Sequence, residues 1–335
     1  MIEKQYVSVF QHRGKVYETF RDKEHKKHTK EVTGYKYKFF IETDKETGYK
    51  DFITSKINLK PLEFSSVREY NDKIKSLKDY DVNVYGTVKP ENQYREEQYI
   101  NSTLSEELHF SFFDIETGFD GSFLDEDGEL IFGDGGFPKP DKANSSVNAI
   151  TIYSCKTKKY YTFGVKDYTP KRDDVKYRKC KDEIDLINSF FMTINILEVD
   201  LLSAWNGDGF DYPFLVNRMK NLGMDISIID KYLKGIYGKS KPGVYEFEKP
   251  RTYYWTDYLE MYKKFIFTPR EKYSLEFIGQ AELGEGKVNL DDFGEYYTFE
   301  MEDGTIISKG AEEMVNTKLG EKMAKDITLK DDIIV

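Results

Sequence analysis

The sequence predicts an α/β protein preceded by a smaller, β-rich α+β region. Three observations carry that reading. The apolar residues Phe110, Phe112 and Phe113 lead into Asp114-Ile115-Glu116-Thr117, so a buried strand ends in two carboxylates spaced two apart. Leu201-Leu202-Ser203-Ala204-Trp205-Asn206 is a second short apolar strand, and Gly207-Asp208-Gly209-Phe210-Asp211-Tyr212-Pro213 then turns into a helix carrying Phe214, Leu215, Val216 and Met219. The first hundred residues have a different texture, with short aromatic and β-branched runs between turn signals.

In that first region Tyr6-Val-Ser-Val-Phe10 and Lys15-Val-Tyr-Glu-Thr-Phe20 bracket a turn at His12-Arg13-Gly14, the layout of a hairpin. Tyr35-Lys-Tyr-Lys-Phe-Phe-Ile41 follows as a third strand. Ser65 or Ser66 caps a helix running to about Leu77, with Val67, Tyr70, Ile74 and Leu77 on one face at helical spacing. The basic run from Arg21 to Lys30 reads as a solvated loop or hairpin edge. A boundary near Asn101-Ser102-Thr103 makes residues 1–104 the N-terminal domain, and a chain of 335 residues suits two domains plus an appendage.

The chemistry concentrates after that boundary. Successive strand side chains alternate faces, so Asp114 and Glu116 point the same way while Ile115 points into the opposite layer. Two carboxylates held so close repel unless something neutralises them, and a divalent cation is the usual neutraliser. The competing reading is a pair of solvated residues at a strand end. Asp211 is a third acidic group, at a helix N-terminus where the dipole favours its ionised form, while Gly207 and Gly209 let the backbone pass close to a ligand. Pro213 suits the first helical turn because it needs no amide partner there. Asp208 or Asp211 acting only as a helix cap is the alternative.

In their order these motifs resemble the N-terminal part of family B DNA polymerases, specifically the replicative polymerases of large tailed phages. The resemblance rests on four stretches. They are Phe113-Asp-Ile-Glu-Thr117, similar to the first exonuclease motif; Phe137-Pro138 with Asn148-Ala-Ile-Thr151; Trp205-Asn206 through Phe210-Asp-Tyr-Pro213 with Asn217-Arg218, similar to the second; and Asp257-Tyr-Leu-Glu-Met-Tyr-Lys-Lys-Phe265 with Tyr273-Ser274-Leu275. Together they cover residues 105–292. The resemblance implies an RNase H-like exonuclease domain, a mixed sheet flanked by helices, that removes nucleotides from a DNA 3′ end by two-metal catalysis. It implies catalytic and metal-binding roles for Asp114, Glu116 and Asp211, with two Mg²⁺ or Mn²⁺ ions, and DNA contacts from Asn206, Phe210, Lys263, Lys264, Tyr273 and Ser274. It also implies a primer 3′ end or single-stranded DNA as substrate, and a place in the cytoplasm of an infected bacterial host.

One motif departs from the family. Its third exonuclease motif, a tyrosine followed four residues later by an aspartate on a helix, is not visible after Asp291-Asp292. Phe299 with Asp303, and Tyr296 with Glu300, are the nearest approximations, which makes Asp303 a candidate further ligand. Gly304 argues against a continuing helix, and Glu302-Asp303-Gly304 also reads as a hairpin turn. Residues 293–335 read as short strands over Tyr297–Met301, Gly304–Ser308 and Ala324–Val335, weakly similar to the hairpins of self-splicing inteins. No cysteine lies beyond Cys180, so splicing is not supported; a remnant of an inserted element or a divergent end of a split polymerase gene are both allowed. No segment resembles the polymerase palm, so the family reading either assigns palm, fingers and thumb to a second chain or makes this a truncated gene product.

Charge and composition add limits. Residues 1–100 hold 20 Lys+Arg against 17 Asp+Glu, leaving 30 against 43 for the rest, within a net charge of −10. An acidic chain is unsuited to nonspecific coating of duplex DNA, although a focused basic groove stays compatible with it. Lys263-Lys264 with Arg270 and Lys272 form one local basic cluster. The 26 Tyr and 24 Phe permit base stacking but mostly suit packed cores. Two cysteines without ligand spacing and four histidines leave no zinc constellation and suggest a reducing compartment. No segment reaches the ~20 apolar residues of a membrane span, and Gly133-Asp-Gly-Gly136 lacks the Lys-Ser/Thr of a phosphate loop. Three functions stay open: the exonuclease portion of a phage-type polymerase, a noncatalytic DNA- and polymerase-binding subunit, and a stand-alone RNase H-like nuclease.

Overall fold

The structure is a computed structural model that describes residues 4–100, 108–118, 138–233 and 248–285, and the backbone of strands at 122–124, 130–132, 296–300, 306–310, 314–317 and 320–323. The chain divides into two units, Met1–Ile266 and Phe267–Val335.

In the first unit, β1 (Gln5–His12) and β2 (Lys15–Arg21) form the expected hairpin around Arg13-Gly14, and β3 (Lys27–Glu31) pairs with β2. Arg13 and Gly14 both take positive φ, which is why a glycine stands at the tip. A second sheet of β4 (Tyr37–Glu42), β5 (Tyr49–Lys50), β6 (Asn58–Phe64) and β7 (Val84–Tyr85) has the order β5-β6-β4-β7, so the third strand read from Tyr35–Ile41 belongs to a separate sheet. The helix α1 (Val67–Asp79) starts at Ser66, whose hydroxyl accepts from Glu69 N at 3.2 Å, and buries Val67 and Tyr70 against Phe39. The helix α2 (Pro90–Tyr99) closes the cluster with Tyr94 and Tyr99. The chosen boundary at 101–103 lies outside the described residues.

Glu18 is buried in the middle of this region. Its carboxylate accepts Lys4 Nζ at 2.6 Å and the hydroxyls of Tyr99 at 2.7 Å and Tyr94 at 2.8 Å. Burial opposes its ionisation, but those three donors outweigh burial and hold its pKa below the usual 4.5. A depressed carboxylate pKa contributes stability above about pH 4.5 that is lost as pH falls through the folded value. Glu18→Gln should therefore cost about 3 kcal/mol at pH 7, and denaturant titrations should show that deficit shrinking as the pH drops below 4.5.

The basic run from Arg21 to Lys30 is a hairpin edge, as expected, with Lys23 to Lys26 exposed in the turn between β2 and β3, but Arg21 and Lys27 depart from the solvated reading. Arg21 is fully buried, with Nε 2.8 Å from Asp200 Oδ2, Nη1 2.9 Å from Glu198 Oε2 and Nη2 2.6 Å from His109 Nδ1. Lys27 donates to Val199 O at 2.5 Å, and its burial brings the ammonium pKa down to about 8. The cause lies far along the chain: strands 1–3 pack on the segment ahead of Leu201, so these two cations face carboxylates and carbonyls across an interface. Tyr6 and Tyr254 share a hydroxyl contact at 2.6 Å, and Ser8 donates to Arg251 O at 2.8 Å in the same seam.

The central sheet contains β8 (Phe110–Thr117), β11 (Val147–Ser154), β12 (Lys159–Gly164), β13 (Val175–Lys179), β14 (Leu201–Ala204) and β15 (Tyr254–Asp257), in the order β13-β12-β11-β8-β14-β15. A separate two-stranded ribbon, β9 (Ser122–Leu124) with β10 (Leu130–Phe132), lies between β8 and β11 in sequence. The central sheet is mixed: β11 runs antiparallel to β8 and β12, while β12–β13, β8–β14 and β14–β15 are parallel. Phe113, Ile115, Ile150, Ile152, Phe163 and Leu202 all turn inward onto α3 (Glu183–Ile196) and α4 (Asp211–Asn221), forming the larger core. Asp182 caps α3 by accepting Asp185 N at 2.8 Å. The helix α5 (Tyr258–Phe265) follows β15. This is the expected mixed sheet flanked by helices behind a β-rich N-terminal region.

In the second unit, α6 (Leu275–Leu283) is capped by Ser274, whose hydroxyl accepts Phe277 N at 3.3 Å, and ends at Gly284 with φ 72°. Two hairpins follow, β16 (Tyr296–Glu300) with β17 (Ile306–Gly310) and β18 (Met314–Thr317) with β19 (Gly320–Met323). Tyr296 and Glu300 therefore lie on a strand, where residues four apart do not share one helical face, and that pair is set aside as a helical motif. Asp303 and the stretch Ala324–Val335 lie outside the described residues. No described helix is long and apolar enough to cross a membrane.

Candidate active site

Alternation along β8 places Phe113 and Ile115 in the core, at 4% and 5% exposure, and leaves Asp114 and Glu116 exposed on the opposite face. The neighbouring strand is shorter. β14 pairs only with Phe110, Ser111 and Phe112, so the edge of β8 beyond Phe112 is open on that side. The chain fills the gap by turning through residues 205–210 into α4, and Asp211 Oδ1 accepts Ile115 N at 3.3 Å. A helix-terminal carboxylate thus meets an amide that no strand satisfies.

The turn is built for close packing. Asn206 takes φ 58°, a left-handed conformation that Asn tolerates better than most residues. A Cβ on Gly207 would come within 2.8 Å of both Ala204 and the Trp255 ring, and one on Gly209 within 2.5 Å of Asn206 Oδ1. Gly207 thus lets the turn fit against Ala204 and Trp255, and Gly209 lets it close on the Asn206 side chain. Asp208 does not cap α4; its Oδ1 accepts Trp255 Nε1 at 2.6 Å and also Lys249 Nζ.

Asp257, which opens the fourth family-like stretch, has a place in the site that the sequence did not assign to it. It ends β15 and caps α5, accepting Leu259 N at 2.9 Å, and it also accepts Asn206 N at 3.1 Å and Asp208 N at 3.0 Å. One carboxylate therefore ties the Asp211-bearing turn to the next strand. Burial raises its pKa, against the opposing pull of those backbone amides. The local signal was a strand ending in Asp just before Tyr-Leu-Glu, which identifies a cap and nothing more.

Asp211 itself is 3% exposed, and its pKa is raised to about 8, first by burial and next by the charge of Asp114, with Asp257 adding to it. The dipole of α4 was expected to keep it ionised. Its own amide and that of Ile115 do pull its pKa down, but desolvation and a like charge outweigh them. Among the described residues no group of three His, Cys, Asp or Glu side chains is gathered into a ready-made cation cage. The donors are nonetheless all carboxylate oxygens, and Asp211 lies close enough to Asp114 for the two charges to repel, a donor chemistry that suits a hard divalent cation.

The other sequence-derived residues are placed as follows. Asn206 is exposed in the turn, and Phe210 is half-buried, its ring 5.4 Å from that of Phe214. Lys263 and Lys264 are exposed on α5; Lys263 pairs with Glu260 at 2.8 Å and Lys264 lies over Phe265. Tyr273 and Ser274 belong to the second unit, where the Tyr273 hydroxyl accepts Arg270 N at 3.1 Å.

Comparison with known proteins bears on this arrangement. A family model described as DNA polymerase family B, exonuclease domain, matches residues 49–278. The chain is 25% identical over 323 residues to the DNA-directed DNA polymerase of Enterobacteria phage T4, and 24% over 322 residues to that of Escherichia phage RB69; each alignment covers 85% of this chain and 33% of the polymerase. The DNA polymerase of Autographa californica nuclear polyhedrosis virus is 30% identical over 125 residues, 35% of this chain and 12% of that protein. The chain thus spans about a third of the phage polymerases it matches. Since the family match takes in well over half of the residues and includes β8, α4 and α5, the chain belongs to the DNA polymerase family B exonuclease-domain family.

Proposed function

We propose that this chain is the N-terminal and 3′–5′ proofreading portion of a phage-type family B DNA polymerase, acting in an infected bacterial cell, with the polymerase palm supplied by a second chain. In this reading residues 1–104 form the N-terminal domain, 105–292 the nuclease and 293–335 a divergent β-rich tail, the remnant of an inserted element or the divergent end of a split polymerase gene. The observation that carries it is the approach of Asp211 to Asp114 at the open edge of β8, which gathers negative charge where a scissile phosphate and its counter-ions would lie.

Hydrolysis of a terminal phosphodiester joins a water oxygen to phosphorus as the bond to the 3′ oxygen breaks. The departing oxygen takes a proton, and a nucleoside 5′-monophosphate leaves. Asp114, Glu116 and Asp211 would hold two Mg²⁺ or Mn²⁺ ions, which neutralise the phosphate and acidify the attacking water. Asp257 keeps the Asn206–Asp208 turn, and with it Asp211, in place. Asn206, Phe210, Lys263, Lys264, Tyr273 and Ser274 are assigned to the DNA strand, and Asp303 is the candidate for a further ligand.

A second reading, a noncatalytic subunit that binds DNA and polymerase, is favoured by the sequence, which shows no third exonuclease motif after Asp291-Asp292. Digestion of 5′-labelled single-stranded DNA with Mg²⁺ separates the two. The wild-type chain should shorten it slowly from the 3′ end, and faster once a chain carrying the palm is added. Asp114→Ala with Glu116→Ala should abolish both the digestion and the thermal stabilisation by Mg²⁺. No cleavage even with the palm chain present would select the noncatalytic reading.

A further inference from the structure

The carboxylates of β8 do not stand alone on their face of the sheet. Cross-strand register aligns Asp114 with Thr151, Thr162 and Tyr177, and aligns Phe112 with Tyr153, Tyr160 and Val175. These two rows run from β8 to β13, three strand spacings or about 14 Å. Over their far half lies an open trough of about 410 Å³, whose lining includes Thr151, Tyr160, Thr162, Tyr177, Tyr168 and Arg172. Tyr168 and Arg172 come from the loop between β12 and β13. Tyr168 is 55% exposed and its ring is 5.3 Å from that of Tyr177, while the Arg172 guanidinium lies 5.1 Å over the Tyr160 ring.

The charge of this edge is opposite to that of the chain. Residues 156–181 hold ten Lys or Arg against Asp167, Asp173 and Asp174, within a protein of net charge −10. Arg172, Arg178, Lys179 and Lys181 have carboxylate partners, at Asp174, Asp185, Asp167 and Asp182. Among the described residues Lys156, Lys158, Lys159, Lys166, Lys171 and Lys176 are exposed and make no ion pair. An exposed ring at Tyr168 and half-buried ones at Tyr160 and Tyr177, with unpaired cations around them, suit a flexible polyanion with flat bases, because every base has a face to stack and every phosphate needs a counter-charge.

We propose that the β12–β13 edge and its trough form a second binding surface for single-stranded DNA, which guides a strand across the sheet to the β8 carboxylates. The direction of that path rests on the nuclease reading of Asp114 and Glu116; the binding itself does not. Tyr168 and Tyr160 stack bases, and Lys166 and Lys171, on the same loop as Tyr168, face the phosphates.

The test is fluorescence anisotropy of a labelled twelve-residue oligothymidylate with the full chain in EDTA, across a salt series. Tyr168→Ala with Arg172→Gln should weaken binding about tenfold, in line with the loss of one stacked base. Lys166→Gln with Lys171→Gln should lower the salt slope by about 1.4. All four side chains are exposed, and unchanged melting temperatures verify the fold. Equal affinity and slope in both variants overturn the proposal, as does a loss of binding to an acidic polypeptide with oligonucleotide binding intact. Mg²⁺-dependent hydrolysis of a thymidine dinucleotide, too short to reach the trough, should be unchanged in both variants. If the wild type hydrolyses nothing even with the palm chain present while the variants still lose oligonucleotide binding, the nuclease reading fails and the trough stands.

Discussion

In buffer free of divalent cations, Asp211→Asn should make the protein more stable at pH 8 than the wild type, by a few kcal/mol. The Asp211 pKa is raised from 3.8 in the unfolded chain to about 8 in the fold, by burial and by Asp114. A carboxyl with a raised folded pKa binds its proton more tightly in the native state, so its stabilising effect is complete below pH 3.8 and is lost as pH rises through 8. Each pH unit in that window costs about 1.4 kcal/mol. Urea denaturation at pH 5 and pH 8 should therefore show the wild type weakening with pH while the amide variant does not. Mg²⁺ should restore the wild type at pH 8 and leave the variant unmoved. A wild type whose cation-free stability is flat between pH 5 and 8 would show that Asp211 is not under this charge strain.

The largest loss is expected at Arg21. Replacing it with Ala leaves Asp200 and Glu198 without the guanidinium and opens a fully buried site, where breaking one side of an ion pair costs about 3–5 kcal/mol. For a unit of this size that corresponds to a fall in melting temperature of roughly 10 °C. Arg21→Lys should recover little of it. A single ammonium cannot reproduce the fork that reaches Asp200 through Nε and Nη2, Glu198 through Nη1 and Nη2, and His109 through Nη2. Calorimetry of the two variants measures the loss, and a change under 1 kcal/mol in Arg21→Ala would refute the interlock between β2 and the segment before β14.

The parts of the site that were legible share a cause. β8 could be read because its faces alternate with period two over Phe110–Thr117, and α4 because glycines, a proline and an apolar stripe come in the order a strand-to-helix turn requires. The hairpin at Arg13-Gly14 and the Ser66 cap follow equally local rules. Arg21 and Lys27 were misread because a charged run looks solvated until its partners are known, and Asp200, Glu198 and Val199 lie more than 170 residues away. Counting charge over the whole stretch after residue 100 also concealed the basic block at 156–181, which an acidic surplus elsewhere outweighs.

Sequence by itself determined which residues face inward, where the chain turns, which carboxylates share the outer side of β8, and the family to which their order points. Tertiary structure alone decided what those groups experience. The Asp211 pKa is raised only because the short β14 lets it sink against β8 beside Asp114, and Asp257 governs the turn only because β15 runs parallel beside β14. Periodicity and turn chemistry are set by neighbours within a few residues. Desolvation and Coulomb interaction are set by whatever the fold brings within a few ångströms, and one-dimensional order does not contain those distances.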